Sequence, residues 1–304
     1  MNKTTTIALA ALTLSLAACG GGGGAGPSVG TNVQISPTDQ RNASLTDLRV
    51  SEGFAGYKGR IRYEVSASGS ARNFDGTVPL VSNIAAVRYD AAAQSYTVTG
   101  DGLTTPSFGP AQRISGNATL TNYERAGTTQ QNLTLFNPGA ANPRLALTYA
   151  SFGAYQEIGT ATNGSRTVDT TFFSYGVRTT AADMPRTGRA SYDTIVDGQF
   201  ADSTGVYALG GQSSFEADFG ASTVTAGMTL QGQNVIDGRG KSFSPMALTG
   251  TIRSDTNGFS FSASGDGATM GGMFYGPGAA EIAGVFGFRT GDGAGTGAIA
   301  GRKR

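Results

Sequence analysis

The stretch MFYGPGAAEIAGVFGF, residues 273–288, breaks an aromatic, strand-like run with Gly276-Pro277-Gly278-Ala279-Ala280-Glu281 and resumes it at once. Two strands joined by a compact turn account for that order. Residues 273–275 end one strand and residues 282–288 form the next. Pro277 suits the first position of a single helical turn, where its missing N–H leaves no bond unmade. Glu281 is expected to hydrogen-bond back to the free N–H groups of that turn, or to sit near their positive end. Gly284 and Gly287 read as bends where bulky neighbours cross close to the backbone. Gly276, Pro277, Glu281, Gly284 and Phe286 therefore make a structural, barrel-closing signature, not a catalytic one.

The segments before this stretch supply the rest of such a barrel. Phe215, Ala217 and Phe219 alternate with Glu216 and Asp218, and Val224, Ala226, Met228 and Leu230 alternate with threonines and Gly227. Phe259, Phe261 and Ala263 alternate with serines. Each strand thus has one apolar face and one hydroxyl or carboxylate face. About eight such strands fit between residues 189 and 304, enough to close a small barrel with a filled interior. Closure also removes exposed edges.

Further upstream, residues 60–65 alternate charged and apolar side chains, and residues 86–90 and 95–99 flank a four-residue hairpin loop. Residues 145–149 and 172–177 read as further strands. Pro185 and Gly188 punctuate the chain before a new strand begins. The sequence predicts an all-β protein: a β-rich domain over residues 41–185, then a small C-terminal eight-stranded antiparallel β-barrel over 186–304. The barrel segment is expected to fold alone.

Composition limits the chemistry. Of 304 residues 14% are charged, with a formal net charge of +1, which gives no electrostatic footprint for nucleic acid. There are 47 glycines, no tryptophan and no histidine. Without histidine there is no Ser-His or Cys-His nucleophile pair and no His-ligated zinc or haem. The 21 acidic residues fall singly along strands and turns, as on a solvated β surface. The expectation is a protein that is not an enzyme and carries no cofactor or metal site.

The N-terminus reads as an export signal. Lys3 is followed by an uncharged apolar run over residues 7–18, too short to span a bilayer, which ends in Leu16-Ala17-Ala18-Cys19. That is the lipobox pattern of bacterial lipoproteins, and Cys19 is the chain's single cysteine. Residues 1–18 are read as a signal peptide and Cys19 as the lipidation site, with more than one acyl chain giving durable attachment. Gly20, where Asp would favour inner-membrane retention, points to the outer membrane. Residues 19–40 are so rich in glycine that they read as a lipidated tether.

The opening stretch also carries a resemblance. FYGPGAAEIAGVFGF is similar to the Phe-Tyr-Gly-Pro-x-Ala-x-Glu-x-x-Gly-x-Phe signature near the end of the transferrin-binding protein B β-barrel domain, whose family includes many Gram-negative lipoproteins. The factor H-binding protein has a related barrel. GTGAIAGRKR, residues 295–304, resembles the family's closing strand, and ADMPRTGRASYDTIVDG, residues 182–198, its entry into the barrel. VRYDAAAQSYTVT and LTYASFGAY, residues 87–99 and 147–155, resemble its handle-type domain. The chain has room for one handle-plus-barrel lobe where transferrin-binding protein B has two, so transferrin is not carried over as its ligand.

The resemblance implies a lipid-anchored, surface-exposed outer-membrane protein of a Gram-negative bacterium. It would bind a host or environmental protein, or a metal or haem carrier, for nutrient uptake of the iron type. An outer-membrane receptor and a surface-lipoprotein export machinery are the implied partners, with contact to the membrane through the lipid alone. Family contact residues lie on variable loops at the tips of handle and barrel, and no motif transfers them to numbered positions. The alternatives are an adhesive or structural lipoprotein with no uptake role and an integral outer-membrane barrel. The lipobox and the serine-rich strand faces oppose the integral barrel.

Overall fold

The computed structural model describes residues 41–66, 68–77, 84–159, 165–254, 257–262 and 267–304. The signal peptide, Cys19, the tether and Ala263 lie outside these residues. Among the described residues all regular structure is β apart from short 3-10 turns. No helix there is long and apolar enough to cross a membrane.

The N-terminal part is a ten-stranded antiparallel sheet. It comprises β1 (Glu52–Val65), β2 (Ala71–Thr77), β3 (Ile84–Asp90), β4 (Ser95–Gly100), β5 (Leu103–Thr104), β6 (Arg113–Gly116), β7 (Leu120–Arg125), β8 (Gln130–Phe136), β9 (Ala150–Ile158) and β10 (Arg166–Gly176). The strand order is β5-β4-β3-β1-β10-β9-β8-β7-β6, with β2 beside the second half of β1. The sheet curls until its two ends touch. Phe108, bridged to Tyr96 of β4, packs edge-on against Tyr123 of β7 and Tyr155 of β9. Phe54, Val87, Val98, Leu133 and Phe173 fill the inside of the curl. The hairpin expected over 91–94 is present between β3 and β4, with Gln94 in the left-handed region.

The C-terminal part is the expected barrel. Its strands are β11 (Arg189–Asp202), β12 (Gly205–Asp218), β13 (Thr223–Asn234), β14 (Gly240–Ser242), β15 (Met246–Arg253), β16 (Gly258–Ser262), β17 (Thr269–Tyr275), β18 (Glu281–Arg289) and β19 (Gly293–Lys303). β14 and β15 lie along successive parts of β13 and act as one interrupted strand. Pairing of β12 with β13 and of β11 with β19 closes eight strand positions into a ring. Phe200, Phe215, Phe259, Phe261, Phe274, Phe286 and Ile299 fill the interior. Burial along β13 alternates residue by residue, as period-two patterning requires. On β18 it does not, because every residue from Glu281 to Phe288 is buried.

Loss of alternation means that both faces of β18 are covered. Even-numbered residues of β18 point into the barrel, and the outward Ala283 and Val285 belong to a second core. That core joins Met273, Tyr275, Ala298 and Ala300 of the barrel to Tyr57, Leu147, Phe136, Phe152 and Phe172 of the N-terminal sheet. Small outward side chains let the aromatic rings come close, and a Cβ on Gly271 would meet the Tyr57 ring at 3.0 Å. A third cluster continues the contact, with Ile61, Tyr63 and Ile158 against Ala201 and Val206. One face of the barrel is therefore part of a shared core, and a fragment of residues 186–304 would expose it. The autonomy expected from the sequence lacks that cover.

Inside the barrel, Gly284 is where the sequence predicts close approach. It pairs with Gly272, and a Cβ there would stand 2.6 Å from the Gly271 carbonyl oxygen and 3.0 Å from Gly272 Cα. The obstacle is backbone, which cannot rotate away. Gly284→Val is expected to lower stability by about 1–3 kcal/mol or more, read as a fall in melting temperature and urea midpoint.

Candidate functional site

Of the residues singled out by the sequence, Gly276, Pro277 and Glu281 lie at the seam between the two sheets, whereas Gly284 and Phe286 belong to the barrel interior. Pro277–Ala279 forms the expected 3-10 turn, with Gly276 as its N-cap and Pro277 in the first turn. Gly276 has φ 71°, and a Cβ on it would collide with the Tyr149 ring of the other domain. The turn is held from both sides. Tyr192 donates its hydroxyl proton to the Ala279 carbonyl at 2.8 Å, and Thr179 Oγ1 donates to the Gly276 carbonyl at 2.7 Å.

Glu281 does something other than expected. Its carboxylate turns away from the 3-10 turn and reaches into the N-terminal domain. There Oε1 accepts the N–H of Thr148 at 2.7 Å, and Oε2 accepts those of Tyr149 and Ala150, each at 2.8 Å. This is also why residues 145–149, expected as a strand, are irregular. Their last N–H groups are spent on a carboxylate more than a hundred residues away, and the ladder of β9 begins only at Ala150. Leu145 and Leu147 still point into the shared core, which is the alternation the sequence displays.

The side chain of Glu281 is buried, with 2% of the residue exposed. Burial pushes its pKa up, while the three backbone N–H groups and Arg302 act in the opposite direction. An amide at this position offers only one oxygen, so its NH2 must face at least one of the three N–H donors. The structure therefore raises the cost of Glu281→Gln above that of a surface change: about 1–3 kcal/mol, the penalty for a buried donor left unpaired. Thermal melting of this variant beside the parent chain checks it.

A second buried carboxylate crosses the seam, one that the sequence shows as an ordinary strand-surface acid. Asp197 on β11 is 1% exposed and faces the N-terminal domain. The Arg144 guanidinium, from the segment between β8 and β9, grips it with Nη1–Oδ2 at 2.7 Å and Nη2–Oδ1 at 3.0 Å. Burial raises the Asp197 pKa to about 6 despite Arg144, which lowers it. Between an ordinary pKa of 3.8 and about 6 the folded protein thus binds the extra proton. The contribution of Asp197 to stability is then fullest below pH 4 and is lost as pH rises to about 6. The stability of the parent chain relative to Asp197→Asn is expected to fall by roughly 2–3 kcal/mol between those limits and to stay level above pH 7. Urea melts of both proteins at steps of pH measure this.

At the opposite end of the barrel Lys241 ties three turns together. Its ammonium bonds Asp202 and, at 3.2 Å, Asp292, and lies over the rings of Phe200 at 5.1 Å and Tyr207 at 5.7 Å. Burial opposes the charge of Lys241, but the two carboxylates outweigh it and raise its pKa. Asp202 also accepts the backbone N–H groups of Thr204 and Gly205. Nearby Ile236, 58% exposed, lies against Gly69 of the turn between β1 and β2, so tip segments of both domains meet there. Among the described residues no three Cys, Asp or Glu side chains gather as a metal site.

The arrangement defines a scaffold of one handle-like curled sheet fused to one closed barrel, with polar turns at both barrel ends. Residues 184–303 match the family model of the C-lobe and N-lobe beta barrels of Tf-binding protein B. That match spans the barrel, and it is this part of the chain that is similar to transferrin-binding protein B. Solved structures with similarity include the isotype 1 transferrin-binding protein B of serogroup B Neisseria meningitidis, at 19% identity and TM-score 0.40, over 81% of this chain and 43% of that one. A double mutant of transferrin-binding protein B from Haemophilus parasuis Hp5 is 14% identical, with TM-score 0.39, over 84% and 76%. The N-lobe domain of lactoferrin-binding protein B from Moraxella bovis is 14% identical, with TM-score 0.34, over 82% and 99%. No curated protein matches the chain.

Proposed function

We propose that this protein is a lipid-anchored surface lipoprotein of a Gram-negative outer membrane that presents one handle-plus-barrel lobe to a protein ligand. The ligand class is a host or environmental protein or a metal or haem carrier, captured for nutrient uptake of the iron type and passed to an outer-membrane receptor. The support is the family match of the barrel over residues 184–303, together with the lipobox ending at Cys19. In this reading residues 1–18 direct export, 19–40 tether, 41–185 form the handle and 186–304 the barrel. The seam residues, Glu281 among them, fix the lobe's shape and leave the ligand to the tips.

Two experiments test it. Cys19→Ala is expected to abolish acyl labelling and to move the protein from the membrane to the soluble fraction, and retention in the membrane would contradict the anchor. Deletion of the protein is expected to slow growth under iron restriction. Loss of surface or host attachment with normal iron-restricted growth would favour an adhesive lipoprotein of the same fold.

A further inference from the structure

The segment between β8 and β9, residues 137–149, runs along the seam and buries Leu145 and Leu147 in the shared core. Two polar ties join it to the barrel. At its C-terminal end Glu281 holds the N–H groups of Thr148, Tyr149 and Ala150. Nearer its middle the tie is the two-pronged pair of Arg144 with Asp197. Between the β8 end and Arg144 the segment folds on itself. Gly139 N–H bonds the Leu147 carbonyl at 2.6 Å, Asn142 N–H the Gly139 carbonyl at 3.1 Å, and Arg144 N–H the Asn142 Oδ1 at 3.0 Å. We propose that the Arg144–Asp197 pair is an acid-released latch: protonation of Asp197 frees Arg144 and lets residues 138–144 open from the barrel while the Glu281 clasp keeps the two domains joined.

The geometry makes the two ties unequal. The Asp197 side chain is wholly buried, whereas that of Arg144 is 22% exposed, so the guanidinium can swing into water and the carboxyl cannot. A neutral carboxyl is the form that tolerates being left behind in the seam, which couples opening to uptake of one proton on an Asp197 oxygen. The charges around the pair are engaged elsewhere. Arg144 is the one charged residue in segment 137–149. On β11, Asp193 pairs with Arg304 and Asp202 with Lys241, while Arg189 pairs with Asp218 of β12. β19 places Ala298 opposite Asp197, and its Arg302 acts on Glu281. On the handle strands, Arg60 and Arg62 hold Asp169, Glu64 accepts from Ser165, and Glu157 accepts from Tyr155. The Tyr63 phenol, bonded to Gln199, is pushed well above its ordinary pKa by burial and stays neutral. Arg144 also keeps an aromatic support, its guanidinium carbon 6.0 Å from the Phe136 ring centre, which remains after the carboxylate is neutralised.

Hydrogen exchange of the whole chain at pH 7.5 and pH 5.0, with times scaled for the intrinsic rate, tests this. The amides of Gly139, Asn142 and Arg144 are expected to lose about tenfold in protection at pH 5.0, because one pH unit below its pKa about a tenth of a carboxylate remains ionised. The amides of Thr148, Tyr149 and Ala150 should lose less, because the Glu281 carboxyl keeps both oxygens beside them in either protonation state. Asp197→Asn, neutral at every pH, is expected to show the weakly protected state at both pH values, and Arg144→Gln the same. Protection of residues 139–144 in the parent chain that does not change with pH would overturn the latch. So would a pH-dependent loss that persists in Asp197→Asn or Arg144→Gln. If either variant fails to fold, the parent's comparison of 139–144 with 148–150 still decides.

Discussion

Three backbone N–H groups of the handle have a barrel carboxylate as their acceptor, and much of the seam follows from that. Thr148, Tyr149 and Ala150 approach the barrel where β9 begins, and a strand beside them would have satisfied their donors. Glu281 does so instead, from the first position of β18. For its side chain to reach them, the preceding turn must be short and must pass close to Tyr149. This is what Gly276 with positive φ and the 3-10 turn at Pro277 provide. Once the approach is set, small outward residues on β18 and β19 bring the aromatic face of the handle into van der Waals contact. At burial of about 25 cal/mol per Å² such a face is worth more than any one polar contact. The carboxylate supplies position, and the apolar core supplies most of the energy.

Much of this is legible in the amino-acid sequence. The barrel interior is written in period two along residues 215–219, 224–230 and 259–261, because interior and solvent faces differ there in chemistry. The turn at Gly276-Pro277 follows from local backbone chemistry, and the glycine at 284 from close approach to the neighbouring strand, where it faces Gly272. What local patterning does not carry is the partner of each side chain across the fold. Ile282-Ala283-Gly284-Val285-Phe286 lacks a polar face, and that is a signal of two covered faces, but it does not say what covers the second. Leu145, Ala146 and Leu147 alternate like a strand, and only the destination of the N–H groups at 148–150 reveals that no strand forms. Asp197 and Arg144 read as solvated charges, since nothing within a few residues of either marks burial.

The two ends of the barrel answer different needs. At the Glu281 end the chain is clamped by hydrogen bonds from Tyr192, Thr179 and Asn257, and the linker from the handle runs along Phe274 and Tyr275. At the Lys241 end an ion-pair cluster gathers the turns while leaving Ile236, Asp237 and Arg239 at the surface. The seam residues are thus fixed at one end of the barrel, and charged turns lie at the surface at the other.

The shared core and the Glu281 clasp join handle and barrel into one folding unit. Differential scanning calorimetry of residues 20–304 measures this cooperativity. One transition is expected, with calorimetric and van't Hoff enthalpies that agree, and Glu281→Gln should shift that whole transition downward. Two separate transitions in the parent chain, with only one of them moved by Glu281→Gln, would contradict it.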